Sequence, residues 1–147
     1  MEIERKYLIK EVPRDTDLVK SVLIEQAYLC RKPVIRVRKA DDEYYMTYKG
    51  GGMMAREEYN LPLNAEAYES LKKKAEGTVI RKRRFLIPYD FEGKTYTIEL
   101  DRFESPNEGL WLAEVEFDSV NEAEGFRPPD WFGEEVTYDR KYHNSNM

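Results

Sequence analysis

The chain has 147 residues, of which 41% are hydrophobic and 36% charged, and its formal net charge is -5. This composition predicts one globular domain over residues 1–147 and argues against a nucleic-acid partner, because no surplus of Lys and Arg exists to neutralise phosphates. Cys30 is the single cysteine, which excludes an internal disulfide and a cysteine metal cluster. No apolar run is long enough to span a membrane and no signal peptide precedes the first strand, so we expect a cytoplasmic protein without a membrane partner.

The first predicted strand, Glu2–Lys10, has two chemically different faces. Residues two apart in a strand point to the same side, so Glu2, Glu4 and Lys6 share one face. The opposite face is apolar and consists of Ile3, Tyr7 and Ile9, with Arg5 as a misfit. Two carboxylates on one rigid strand can hold a hard divalent cation, and the lysine can hold an anion beside it.

The remaining chain reads as mostly strand, interrupted by short helices. In chain order we predict a short helix over 15–22, strands over 23–30, 34–39, 44–49 and 56–63, a helix from the Asn64 cap to Glu76, strands over 79–88, 94–103 and 110–118, and a helix over 120–125 capped by Ser119. The turns of the two hairpins fall at 40–42 and 89–93, and an irregular segment starts at Pro128. Many short strands with three short helices indicate a β-rich domain.

Nearly every later strand repeats the split between an apolar and a charged face. The charged residues are Arg36, Arg38, Lys49, Arg56, Glu58, Glu99, Asp101, Glu114 and Glu116. If the sheet closes on itself, they line a cavity with a carboxylate cluster opposite a basic wall. Carboxylates bind Mg²⁺ or Mn²⁺, and the metal together with Arg and Lys neutralises a polyphosphate. The alternative is an open antiparallel sheet whose opposite charges pair across strands in water.

The order and spacing of these residues resemble the CYTH superfamily, also called triphosphate tunnel metalloenzymes. The resemblance begins with an E-x-E-x-K motif at Glu2–Lys6 and covers essentially the whole chain. It implies an α+β fold in which a closed antiparallel β-barrel of about eight strands forms a central tunnel, with helices packed outside. In the strand over 79–88, where both faces carry bases, it implies that Lys82 and Arg84 face the tunnel, whereas Arg81 and Arg83 face outward.

The same resemblance implies a role for each charged residue of the tunnel. Ligands for Mg²⁺ or Mn²⁺ are expected among Glu2, Glu4, Glu58, Glu99, Asp101, Glu114 and Glu116. Phosphate oxygens are expected to be bound by Lys6, Arg36, Arg38, Lys49, Arg56, Lys82 and Arg84. Catalysis is expected to depend most on Glu4, Lys6, Arg38 and Glu116. Asn60 departs from the family pattern, since many members carry a second acid there, and this leaves the number of metal ions open.

The family includes several activities, and this chain is most similar in pattern to small bacterial tripolyphosphatases. We therefore expect metal-dependent hydrolysis of the terminal phosphate of inorganic tripolyphosphate, with nucleoside triphosphates as side substrates. The alternatives are a thiamine triphosphatase, a class IV adenylate cyclase, and a non-catalytic module that binds polyphosphate. The partner in each case is a small-molecule triphosphate, and the chain is expected to be a monomer or a homodimer.

The last segment, 136–144, resembles the part of the family that covers one tunnel mouth. Arg140 or Lys141 could add a phosphate contact there. His143, the only histidine, is expected to be solvated or packed rather than catalytic, because a lone residue of one type carries no pattern.

Overall fold

The computed structural model describes residues 1–147, and its strands form one antiparallel sheet. The strands are β1 (Glu2–Ile9), β2 (Ser21–Arg31), β3 (Val34–Ala40), β4 (Glu43–Lys49), β5 (Ala55–Arg56), β6 (Glu58–Leu63), β7 (Glu76–Phe91), β8 (Lys94–Ser105), β9 (Trp111–Glu116) and β10 (Phe132–Glu135). The helices are α1 (Ala65–Lys72), α2 (Val120–Gly125) and short 3₁₀ turns at Thr16–Leu18, Arg140–Tyr142 and Asn144–Asn146. None of the helices has the length and apolar character needed to cross a membrane.

The sheet curls until its two ends meet at β1. Nine strands follow one another in the order β10-β1-β9-β8-β7-β2-β3-β4-β6. The short β5 then pairs with β1, Glu2 opposite Arg56, and leads directly into β6. The predicted antiparallel barrel with helices outside is confirmed, as a nearly closed barrel with nine strands along its path instead of about eight.

The two faces of the strands have the separate roles that their alternation predicts. Ile98, Leu100 and Val115 are fully buried in an apolar layer on the outer side of the sheet, where Ala123 and Phe126 at α2 also pack. Because side chains alternate across a strand, their neighbours on β8 and β9 point into the barrel; these are Glu99, Asp101, Glu114 and Glu116. The larger apolar cluster therefore lies outside the barrel wall, and the charges lie within the barrel. A smaller apolar cluster lies inside as well, because Val34, Phe103 and Leu112 share their strand faces with the inward charges.

Two predicted strand boundaries differ from those in the structure, and strand pairing explains both differences. The predicted strand over 56–63 is divided at Glu57, since β5 pairs with β1 whereas β6 pairs with β4. The predicted loop over 89–93 shrinks to Glu92 and Gly93, whose φ angles of 49° and 79° fit a two-residue hairpin turn. The hairpin of β7 and β8 consequently extends to Phe91 and Lys94.

The other differences lie at the ends of elements. Helix α1 ends at Lys72 instead of Glu76, because Lys74 and Ala75 already donate i→i+3 hydrogen bonds that tighten the last turn. The predicted helix over 15–22 is only the 3₁₀ turn at Thr16–Leu18, since Ser21 and Val22 pair with β7. The segment after Pro128 contains β10, which the sequence interpretation missed; it pairs with β1. The Asn64 and Ser119 caps are confirmed, each side chain accepting a backbone N–H.

Arg5, the charged misfit on the apolar face of β1, ties that strand to the outer layer. Its Nη1 donates to the carbonyl oxygens of Ala123 at 2.7 Å and Phe126 at 3.2 Å. Its Nη2 lies 2.6 Å from the carboxylate of Glu135 on β10. The guanidinium thus supplies donors to two carbonyl oxygens at the C-terminal end of α2, where backbone donors are few, and this explains a charge at this position.

Tyr68 gives the fold a simple test. Its side chain is fully buried between α1 and the barrel, packed with Ala27 and Val37, whereas Tyr59 on β6 is 65% exposed. We expect Tyr68→Ala to lower the free energy of unfolding by about 3–5 kcal/mol, because it opens a cavity in a packed layer. We expect the matched Tyr59→Ala change to cost under about 1 kcal/mol. Urea unfolding measures both, and equal losses would contradict the packing described for α1.

Candidate functional site

The barrel encloses a cavity of about 450 Å³ whose wall carries charges of both signs. Most of the residues proposed from the sequence line it: Glu2, Glu4, Lys6, Arg36, Arg38, Lys49, Arg56, Glu58, Arg84, Glu99, Glu114 and Glu116. These twelve residues come from β1 and from every strand between β3 and β9, so closure of the barrel brings parts of the chain that are far apart in sequence into one space. Asp101 and Lys82 do not line the cavity.

One side of the cavity holds three carboxylates that crowd together. Oxygens of Glu2, Glu4 and Glu116 all lie within 4.8 Å of one another, and Glu4 stands directly opposite Glu116 across β1 and β9. Burial and the neighbouring Glu114 hold the pKa of Glu4 well above its ordinary value. Partial burial and repulsion from Glu99 and Glu2 raise the pKa of Glu116 to about 7. We call these three residues the carboxylate cluster.

Glu114 has the opposite electrostatic environment although it is next to the cluster. Burial alone would raise its pKa, but Lys6, Arg84 and Lys82 outweigh burial and hold the pKa well below its ordinary value. Lys6 Nζ lies 3.6 Å and Arg84 Nη2 3.8 Å from its Oε1. Glu114 is therefore ionised, and the protein's own basic side chains neutralise its charge.

Lys49 connects the carboxylate cluster with the end of β6. Its Nζ lies 2.8 Å from Glu2 and 3.6 Å from Glu58. The lysine is thus shared between two carboxylates on neighbouring parts of the barrel, and it partly neutralises the cluster on that side.

The opposite side of the cavity carries two arginines on β3 without any acidic partner. Arg36 and Arg38 are 6% and 7% exposed, and no carboxylate lies within the 4.0 Å of an ion pair. Arg36 Nη2 donates to Thr47 Oγ1 at 3.1 Å, and its buried Nε has no hydrogen-bond partner. Buried guanidiniums are normally paired, so this wall lacks an anion.

Two residues proposed for direct roles lie one layer behind the cavity wall. The Asp101 carboxylate receives Arg84 Nε at 2.8 Å and Nη2 at 2.9 Å, and Lys82 Nζ lies 2.7 Å away. Burial lowers the pKa of Lys82 to about 7, although Asp101 opposes the change. Because the Asp101 oxygens are already engaged by two bases, we remove it from the set of metal ligands, and we place Lys82 behind the phosphate-binding residues. Their position supports Arg84, which also contacts Glu99 at 3.1 Å.

The C-terminal tail forms part of the cavity wall, through residues that the sequence interpretation did not select. Thr137, His143, Asn144 and Ser145 line the cavity, whereas Arg140 and Lys141 do not. Lys6 Nζ donates to the carbonyl oxygen of Tyr142 at 3.0 Å, and Lys82 Nζ donates to Asn144 Oδ1 at 3.1 Å. No periodic pattern marks an irregular tail, so only its resemblance to a mouth-covering segment pointed here.

Comparisons with known proteins place this geometry in a family. The sequence profile of the CYTH domain matches residues 1–143. The chain belongs to the CYTH family. Two relatives are named inorganic triphosphatase: one from Nitrosomonas europaea is 38% identical over 99% of this chain and 95% of its own length, and one from Acetivibrio thermocellus is 39% identical over 99% and 92%. The crystal structure of an inorganic triphosphatase superposes with a TM-score of 0.69 at 34% identity, covering 99% of this chain and 93% of that one.

Within this CYTH protein, Asn60 joins the two sides of the cavity. Thr47 accepts from Arg36 and donates to Asn60 Oδ1 at 2.6 Å, and Asn60 Nδ2 donates to Glu58 at 3.2 Å. An acid at position 60 would accept from Thr47 but could not donate to Glu58. The amide therefore completes a chain of hydrogen bonds from Arg36 to Glu58 and adds no further negative charge to the cavity.

Proposed function

We propose that this CYTH protein hydrolyses the terminal phosphate of inorganic tripolyphosphate with a divalent cation. The observation that carries the proposal is the charge arrangement of the cavity, in which Arg36 and Arg38 lack acidic partners opposite a crowded carboxylate cluster. A polyphosphate with a bound cation supplies both missing charges at once. The two relatives of similar length that are named inorganic triphosphatase support the same substrate class.

The carboxylate cluster fits a hard cation by its chemistry. Its donors are three carboxylate oxygens from Glu2, Glu4 and Glu116, without His or Cys, which suits Mg²⁺ or Mn²⁺ better than Zn²⁺. The raised pKa values of Glu4 and Glu116 arise from burial and mutual repulsion, and a cation relieves both. When bound, the cation supplies charge neutralisation at phosphate oxygens and a more acidic water. Glu58, Glu99 and Glu114 line the same cavity and add further carboxylates to it.

The basic residues of the cavity provide the binding and the electrostatic part of the reaction. Arg36 and Arg38 bind phosphate oxygens through guanidinium forks, which are pre-organised for bidentate contact. Lys6, Lys49, Arg56 and Arg84 complete the positive wall. Phosphoryl transfer needs mainly positioning and stabilisation of charge on the equatorial oxygens, and these side chains do both. A carboxylate of the cluster orients the attacking water toward the terminal phosphorus.

A substrate panel separates the candidate activities. Release of phosphate from tripolyphosphate, ATP, thiamine triphosphate and pyrophosphate would be measured with Mg²⁺ and with Mn²⁺, and cyclic AMP would be assayed with ATP. We expect the highest kcat/KM for tripolyphosphate, because Tyr28, Val34, Tyr45 and Met53 are the only apolar lining residues and offer little surface for a base. Binding of tripolyphosphate without phosphate release would favour the non-catalytic module. A preference for thiamine triphosphate, or cyclic AMP formation, would replace the proposed substrate.

A further inference from the structure

The two unpaired arginines of β3 are held in place by neutral side chains. Arg84 on β7, two strands away from β3 in the sheet, is fixed by the carboxylates of Asp101 and Glu99. Arg36 and Arg38 are similarly buried but contact only neutral groups. Arg36 donates to the Thr47 hydroxyl, and Arg38 donates to the Gln26 amide at 2.7 Å and, more weakly, to the Tyr45 hydroxyl at 3.4 Å. Burying a charge without an opposite charge is costly, so an arrangement of this kind calls for a physical explanation.

Gln26 on β2 is the neutral partner of Arg38. The two residues stand opposite each other in the register of β2 and β3, and Gln26 is fully buried. Its Oε1 accepts from Arg38 Nε at 2.7 Å, while its Nε2 donates to the hydroxyl of Tyr28 at 3.2 Å. Because a guanidinium only donates, the amide oxygen must point toward Arg38. The amide is thereby satisfied on both ends, and Arg38 is oriented toward the cavity.

We propose that Gln26 is a positioning residue that fixes Arg38 without neutralising it. This inference rests on the proposed function, since it requires a phosphate in the cavity. A carboxylate at position 26 would bind the same Nε but would form an ion pair, and the substrate would then compete with that internal anion. The amide holds the side chain equally well and leaves the full positive charge for phosphate oxygens. Thr47 has the same role for Arg36.

Two substitutions distinguish an electrostatic role from ordinary core packing. Gln26→Glu keeps the shape and the acceptor but adds the charge, whereas Gln26→Leu removes the hydrogen bonds and adds none. We expect Gln26→Glu to raise KM for tripolyphosphate by about tenfold or more, from the loss of one charge-assisted contact, with a melting temperature close to that of the parent protein. We expect Gln26→Leu to melt at a lower temperature but to raise KM less, because Arg38 stays uncompensated.

Asn64→Asp is the matched control. It makes the same amide-to-carboxylate change at the exposed cap of α1, where Asp caps as well as Asn, and it lies outside the cavity. The measurement is KM and kcat for tripolyphosphate at a fixed saturating concentration of Mg²⁺, with a thermal melt of each variant. We expect the control to match the parent protein in all three quantities.

The proposal is overturned by three results. KM that rises more in Gln26→Leu than in Gln26→Glu would show that tripolyphosphate binding depends on the hydrogen bond to Arg38 and not on the absence of a charge at position 26. An unchanged KM in Gln26→Glu would show that the charge at position 26 is irrelevant, and failure of that variant to fold would contradict the expected ion pair with Arg38. In each of these cases the parent protein still hydrolyses tripolyphosphate. If the parent protein itself does not bind or hydrolyse it, the proposed function fails.

Discussion

Glu4→Gln is expected to lower kcat for tripolyphosphate by at least about tenfold, because it removes one anionic ligand from the carboxylate cluster. The change keeps the shape of the side chain. Its effect on stability should have the opposite sign, since burial and Glu114 already hold the pKa of Glu4 well above its ordinary value. We therefore expect the melting temperature without metal to stay the same or rise. Steady-state kinetics at saturating Mg²⁺ and calorimetric melting measure the two effects.

Glu104→Gln is the control for this experiment. Glu104 is exposed near the end of β8 and does not line the cavity. The same chemical change there should leave kcat within about twofold and stability within about 0.5 kcal/mol, as for most exposed positions. A fully active Glu4→Gln variant would remove Glu4 from the metal site, and a loss of activity accompanied by unfolding would point to a structural role instead.

Arg38→Ala should reduce kcat/KM for tripolyphosphate by about a hundredfold, the usual cost of removing one preorganised donor from a charged transition state. Arg38 is buried, has no acidic partner and is aimed at the cavity, so no other group takes over its charge. The fold should persist, because the neighbouring Arg36 loses a source of repulsion that lowers its pKa. Kinetics and circular dichroism on the purified variant test both expectations.

Arg83→Ala is the matched variant on the outer face. Arg83 donates to Ser21 Oγ at 3.0 Å on the outside of the sheet and does not line the cavity. We expect it to keep kcat/KM within about twofold, as a surface substitution distant from the site. An equal loss of activity in Arg83→Ala and Arg38→Ala would mean that the side chains of β3 or β7 that point into the barrel have been misassigned.

Strand alternation predicted most, but not all, of the charged residues that share the cavity. A period of two places Glu2 and Glu4 on one face of β1 and Arg36 and Arg38 on one face of β3, and only a closed barrel brings these faces together. On β7 both faces carry basic residues, so periodicity alone did not show which of them point into the barrel. The resemblance to the CYTH superfamily supplied that assignment. In the structure Lys82 is fully buried on the inner side, whereas Arg81 pairs with Glu25 outside.

Pairing partners and irregular segments could not be predicted in the same way. Asp101 shares its strand face with Glu99, but in the structure its carboxylate contacts Lys82 and Arg84. These contacts depend on which strand lies next to β8, and alternation along one strand does not reveal that. The tail residue His143 reaches the cavity through a chain path without a period. Gln26 did leave a signal in the sequence, because it is the one polar residue among Val22, Ile24 and Tyr28 on the inner face of β2. Its meaning became clear only from its pairing with Arg38 in the structure.

The central claim is that the cavity hydrolyses tripolyphosphate by means of a cation held at the carboxylate cluster. The most direct measurement is orthophosphate release from tripolyphosphate by protein stripped with EDTA, as Mg²⁺ is added back. We expect no release above background without the cation, and saturable release with Mg²⁺ that yields orthophosphate and pyrophosphate in equal amounts. Release at the full rate in excess EDTA would contradict the central claim, and so would no release at any concentration of Mg²⁺ or Mn²⁺.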